Sequence, residues 1–96
     1  MENTVYLTIL YDYYKNLLTE KQCLYFEDYF FDNLTLSEMA EAYNVTRSAV
    51  NKQINLTIEK LNEYEAKLNL YANSLKIKKL LEGIPEKTRE QIEELI

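Results

Sequence analysis

Histidine and tryptophan are absent from this 96-residue chain, and cysteine, glycine and proline occur once each. Without histidine there is no usual general base and no commonest metal ligand, so serine–histidine, cysteine–histidine and zinc-dependent chemistries are not assembled within one chain. The single cysteine, Cys23, has no intrachain disulfide partner and lies among apolar neighbours, the setting of a small buried hydrophobe in a reducing compartment. Scarce glycine and proline remove the turn formers that an all-β fold needs. The only glycine, Gly83, precedes Ile84-Pro85 and reads as a helix stop rather than part of a phosphate loop. No apolar run reaches the roughly 18 residues that span a bilayer, and MENTVYLTIL lacks the basic start and cleavage site of a signal peptide. These absences lead us to expect an all-α, non-enzymatic, cytoplasmic protein with no cofactor, no metal site and no membrane insertion.

What is present is enough for one modest core, since 47% of the residues are hydrophobic, and we expect a single helical domain over residues 1–96. The net charge of -5 argues against bulk affinity for polyphosphate. That average conceals a pattern, because residues 1–45 carry eight acids against two bases and residues 46–81 seven bases against three acids. Residues 82–96 return to five acids against two bases, with Glu90, Glu93 and Glu94 reading as a solvated helical face rather than a paired-carboxylate site.

Periodicity supplies the helices. Val5, Tyr6, Ile9, Leu10, Tyr13 and Leu17 recur at helical spacing and define a first helix over 5–17. Thr19 and Gln22 have capping-box spacing and open a second helix, which Asp32-Asn33 ends near Phe31. Thr35 and Glu38 repeat that box before a short helix, Leu36 to Tyr43; after a tight turn at Asn44, Thr46 caps a fourth. From there Ile54, Ile58, Leu61, Tyr64, Leu68, Tyr71 and Leu75 form a near-heptad stripe, which predicts one long helix to about residue 73 with a single packing face. A helical tail over 75–96 follows, divided at Gly83-Ile84-Pro85. The stripe is long for helices 1 and 2 to cover, so we expect a homodimer through it; the alternative is that helix 1 and the C-terminal helix fold back over it.

The window LTLSEMAEAYNVTRSAVNKQINL, about residues 35–56, has the pattern of a helix-turn-helix. Leu36 and Met39 are its apolar positions, Ala40 the small residue at a close crossing, Asn44 the left-handed turn residue, and Val45 and Val50 the anchors of the second helix. Thr46, Arg47, Ser48, Asn51, Lys52 and Asn55 then stand at the exposed start of that helix, where Arg and Asn can bond base edges and Lys and hydroxyls phosphates. The opposing reading is a packing unit with a polar outer side, because Glu38 and Glu41 offset Arg47 and Lys52.

LTEKQ, YFEDYF and LSEMAEAYNVTRSAV together resemble the DNA-reading fourth region of sigma factors. A more specific resemblance, over roughly residues 5 to 82, is to the YlxM-like family of helix-turn-helix proteins, carried by the same LT-x-KQ, the paired aromatics, Ile58-Glu59-Lys60-Leu61, Tyr64-Glu65, Lys67-Leu68 and Tyr71. That resemblance implies an all-helical DNA-binding protein with a regulatory part in co-translational targeting by the signal recognition particle. Its ligand would be DNA, the particle's RNA or the particle's protein, met through Thr46, Arg47, Ser48 and Asn51.

Overall fold

In a computed structural model that describes residues 3–96, the chain forms six α-helices and no strand among the described residues. Helix α1 spans Thr4–Tyr14 and tightens into a 3₁₀ turn, Lys15–Leu17. Helices α2 (Glu20–Phe30), α3 (Leu36–Tyr43) and α4 (Arg47–Leu68) follow, then α5 (Leu70–Leu80) and α6 (Glu86–Glu93).

The caps fall where the side-chain chemistry places them. Thr19 and Thr35 each accept from the backbone N–H three residues on (3.1 and 3.0 Å), while Gln22 and Glu38 accept in return (2.9 Å each). Those backbone and hydroxyl bonds from Thr35 hold the Glu38 carboxyl below the usual carboxylate range. Asparagine stands in for the missing glycine: Asn33, Asn44 and Asn69 adopt φ of 56°, 55° and 54°, left-handed values that asparagine tolerates better than other non-glycine residues. Gly83, at φ 85°, ends the run before α6.

Helix α4 is the spine. Its Val50, Ile54, Ile58 and Leu61 are buried against α1, α2 and α3, whose contributions include Leu7, Leu10, Tyr14, Phe26 and Met39. Truncating one such leucine or isoleucine to alanine typically costs about 2–5 kcal/mol. On α1 the buried set is Leu7, Leu10, Tyr11 and Tyr14, which corrects the expected face. Val5 and Leu17 are exposed, and Tyr6 and Tyr13 turn partly away towards Tyr71 (ring centroids 6.0 Å each).

The expected long helix is corrected as well. It ends at Leu68, and Asn69 bends the chain into α5 without help from glycine or proline. The reason lies in a buried carboxylate. Glu65 accepts from the Tyr14 hydroxyl at 2.5 Å and from the N–H groups of Tyr71 and Ala72 at 3.1 and 3.0 Å. The Tyr14 oxygen in turn accepts from the N–H of Leu70 at 3.1 Å. Three unpaired amides at the start of α5 are thereby satisfied, and a negative charge sits at its positive end. The stripe is divided accordingly. Ile54, Ile58 and Leu61 are covered by α1 and α2 of the same chain and offer nothing to a partner, Tyr64 donates to the Leu17 carbonyl (3.2 Å), and only Leu68 and Leu75 remain largely exposed.

Desolvation, aided by the bond to Glu65, pushes the Tyr14 hydroxyl up to about 12 from the ordinary 10.0. Because the folded chain keeps a proton that the unfolded chain has lost, this stability is complete below pH 10 and disappears as pH rises through about 12. Thermal melts followed upward from neutral pH should therefore show a steep alkaline loss. In Tyr14→Phe the loss should be shallower, starting from a lower neutral stability because the Leu70 N–H loses its acceptor and Glu65 one of its donors; an equal alkaline loss in both proteins would contradict the assignment.

Candidate nucleic-acid interface

The α3–turn–α4 unit is fixed from behind. Tyr43, the last residue of α3, donates its hydroxyl to the Asp28 carboxylate on α2 and stacks on Tyr25 at 4.8 Å. The bond to Asp28, the larger cause, together with partial burial raises the Tyr43 hydroxyl to about 12. Asn44 then reverses the chain, with the Val45 N–H returning to the Ala40 carbonyl at 3.0 Å. Met39, Ala40 and Val50 are buried where α3 meets α4. Val45, expected to anchor the second helix, is instead partly exposed and lines a shallow recess of about 470 Å³ with Leu24, Tyr25 and Tyr43.

Thr46 caps α4 by accepting from the Ala49 N–H at 3.0 Å, so its hydroxyl proton remains free to donate. Arg47, Ser48, Asn51, Lys52 and Asn55 are all exposed, and their spacing puts them on one flank of α4, beside the face that carries Val50 and Ile54 into the core. Among the described residues, neither Arg47 nor Lys52 has a carboxylate within ion-pair distance. The ion pairs lie elsewhere, joining Glu63 to Lys60 and Lys67, and Arg89 to Glu93. The anticipated offset by Glu38 and Glu41 thus takes the form of general field rather than contact. An arginine in the first turn of a helix is unfavourable for the dipole, and no acid balances it there. Such an end, with free N–H groups and a cation, is suited to an anion such as phosphate.

One acid escaped the sequence reading of this flank. Glu59, exposed and four residues beyond Asn55, closes the stripe with a negative charge and limits the cationic stretch to the first turns of α4. Its spacing carried that signal. The Tyr43–Asp28 bond carried none, because its partners lie 15 residues apart on different helices. Among the described residues no three cysteine or acidic side chains gather as a metal-binding group, and no helix is long and apolar enough to cross a membrane.

A tight asparagine turn between a short helix and a longer one that exposes its first turns is helix-turn-helix architecture. The profile of the UPF0122 family, described as "Putative helix-turn-helix protein, YlxM / p13 like", matches residues 1–96. The chain belongs to this family. Similar relatives include a UPF0122 protein of Halalkalibacterium halodurans, 39% identical over 95% of this chain and 84% of its own length. Another, from Lactococcus lactis subsp. cremoris, is 39% identical over 91% of this chain and 78% of its own length. A third, from Staphylococcus haemolyticus, reaches 46% identity over 71% of this chain and 62% of its own length. Membership of the UPF0122 family agrees with the all-α fold and with the resemblance drawn from the motif residues.

Ala40 is where this register is most easily tested. Leucine there would overfill the contact between α3 and α4, an error that typically costs about 1–3 kcal/mol. Chemical denaturation of Ala40→Leu should show a midpoint well below that of the wild type, and an unchanged midpoint would place residue 40 away from the crossing.

Proposed function

We propose that this protein is a non-enzymatic cytoplasmic regulator that binds duplex DNA through the first turns of α4. The observation that carries this reading is the exposed flank of Arg47, Ser48, Asn51, Lys52 and Asn55, whose two cations have no carboxylate partner among the described residues. Arg47 and Asn51 are the bidentate-capable readers, Lys52 and the hydroxyls of Thr46 and Ser48 the phosphate contacts. The placement matches the recognition helix of helix-turn-helix proteins, whose N-terminal residues meet base edges in the major groove. In keeping with the family resemblance, the regulation would concern the signal recognition particle, with the particle's RNA or protein as the alternative ligand.

Two features favour a second reading, a protein-interaction module. They are the net charge of -5 and Glu59 at the end of the flank. Salt dependence separates the two. With three or four phosphates neutralised, log affinity should fall against log salt with a slope of about -3, shallow for a DNA-binding protein.

Fluorescence anisotropy at low salt, with duplex DNA and structured RNA as parallel probes, tests the proposal. The Arg47→Ala, Lys52→Ala double variant should weaken DNA binding and flatten the slope by about one unit, the share of the Lys52 phosphate contact. Equal affinity in wild type and variant would remove this flank from the function; tighter, equally sensitive binding of the RNA would transfer the role to RNA.

A further inference from the structure

The molecule is elongated, 54 Å along its longest axis against 24 and 23 Å, and the distal end is apolar where it has no covering. Helix α5 meets α1 through Tyr71, yet beyond Ser74 it leaves Leu75 51% and Leu80 77% exposed, and Leu95 after α6 is 83% exposed. Leu75, Leu80 and Leu95 are thus open apolar positions in the C-terminal part of the chain.

Charge says what covers it. Helix α5 carries Lys76, Lys78 and Lys79 and no acid, while residues 82–96 carry five acids against two bases. The two segments do not neutralise one another within the chain. Among the described residues the ion pair of this end is Arg89 with Glu93, inside α6 itself. Arg89, Ile92 and Glu93 of α6, and Ile96 beyond it, are half-buried, whereas Glu90 of α6 and the following Glu94 and Leu95 are exposed. On α5, Lys76, Lys79 and Leu80, with the following Glu82, line a shallow recess of about 510 Å³, in which two cations and one acid surround a single leucine. An apolar side chain flanked by carboxylates is the complement of that recess, and Leu95 with Glu90 and Glu94 supplies it.

We propose that a second copy of this chain covers this end, the recess on α5 of each copy receiving Leu95, Glu90 and Glu94 of the other. A surface bearing both signs is self-complementary about a two-fold axis, so each copy gives and receives the same contact and the assembly closes as a dimer. An anionic partner such as nucleic acid or a lipid surface would suit α5 alone and be repelled by the glutamates beside it. The interface lies away from Ile54, Ile58 and Leu61, which the core consumes, and it stands independently of the nucleic-acid reading.

Sedimentation of the full chain at micromolar concentration should give a species of about twice the 11.5 kDa chain mass. Lys76→Glu with Lys79→Glu, or Glu90→Lys with Glu94→Lys, sets like charges face to face and should weaken association roughly tenfold or more. All four side chains are exposed, so helicity by circular dichroism should not change in either variant. Mixing the two variants pairs opposite charges at both contacts and should restore the dimer. A monomeric wild type, a dimer indifferent to both double variants, or a mixture that stays monomeric would each overturn the proposal.

Discussion

A single buried carboxylate decides the course of the chain. Glu65 lies where an uninterrupted helix would have carried the apolar stripe straight on, and it draws the Tyr14 hydroxyl and the amides of Tyr71 and Ala72 onto its two oxygens. The start of α5 has no side-chain cap from Asn69, so these bonds supply the acceptors that its free N–H groups require. The bonds from Leu70, Tyr71 and Ala72 replace the intrahelical acceptors that those amides lose at Asn69, and so hold the chain in the bend. From it follow the seating of Tyr71 against Tyr6 and Tyr13 and the release of Leu75 and Leu80 into solvent.

The same device recurs elsewhere. Tyr11 donates to Glu27 and Tyr43 to Asp28, joining α1 to α2 and α3 to α2. Burial, with the Glu27 bond second, raises the Tyr11 hydroxyl well above its ordinary value. Phenol–carboxylate pairs satisfy both partners without a cation, so the helices of the acidic N-terminal part are held together without recruiting Arg47 or Lys52. Those two stay available on the surface. Helix α4 consequently has two uses, with Val50, Ile54, Ile58 and Leu61 in the core and the Arg47–Asn55 flank in solvent.

The local features were legible from the sequence alone. Thr19, Thr35 and Thr46 as caps, Asn33 and Asn44 as left-handed turns, the limits of α3 and the stop at Gly83 each rest on chemistry between residues a few positions apart, which sequence spacing records directly. The exposed flank was equally readable, because its residues share one side of one helix.

Tertiary structure decided the rest. Periodicity joined Ile54 to Leu75 in one stripe, since Leu68, Tyr71 and Leu75 keep the spacing; only the contact of Glu65 with Tyr14, 51 residues away in the chain, splits it. Which face of α1 is buried, and that Val45 is partly open, depended likewise on which helix lay opposite. Residue order thus determined the helices, their caps and the side chains offered at the start of α4. Packing between distant helices determined where the chain bends and which apolar residues the core takes or leaves exposed, because burial is a property of the neighbours that distant parts of the chain bring together.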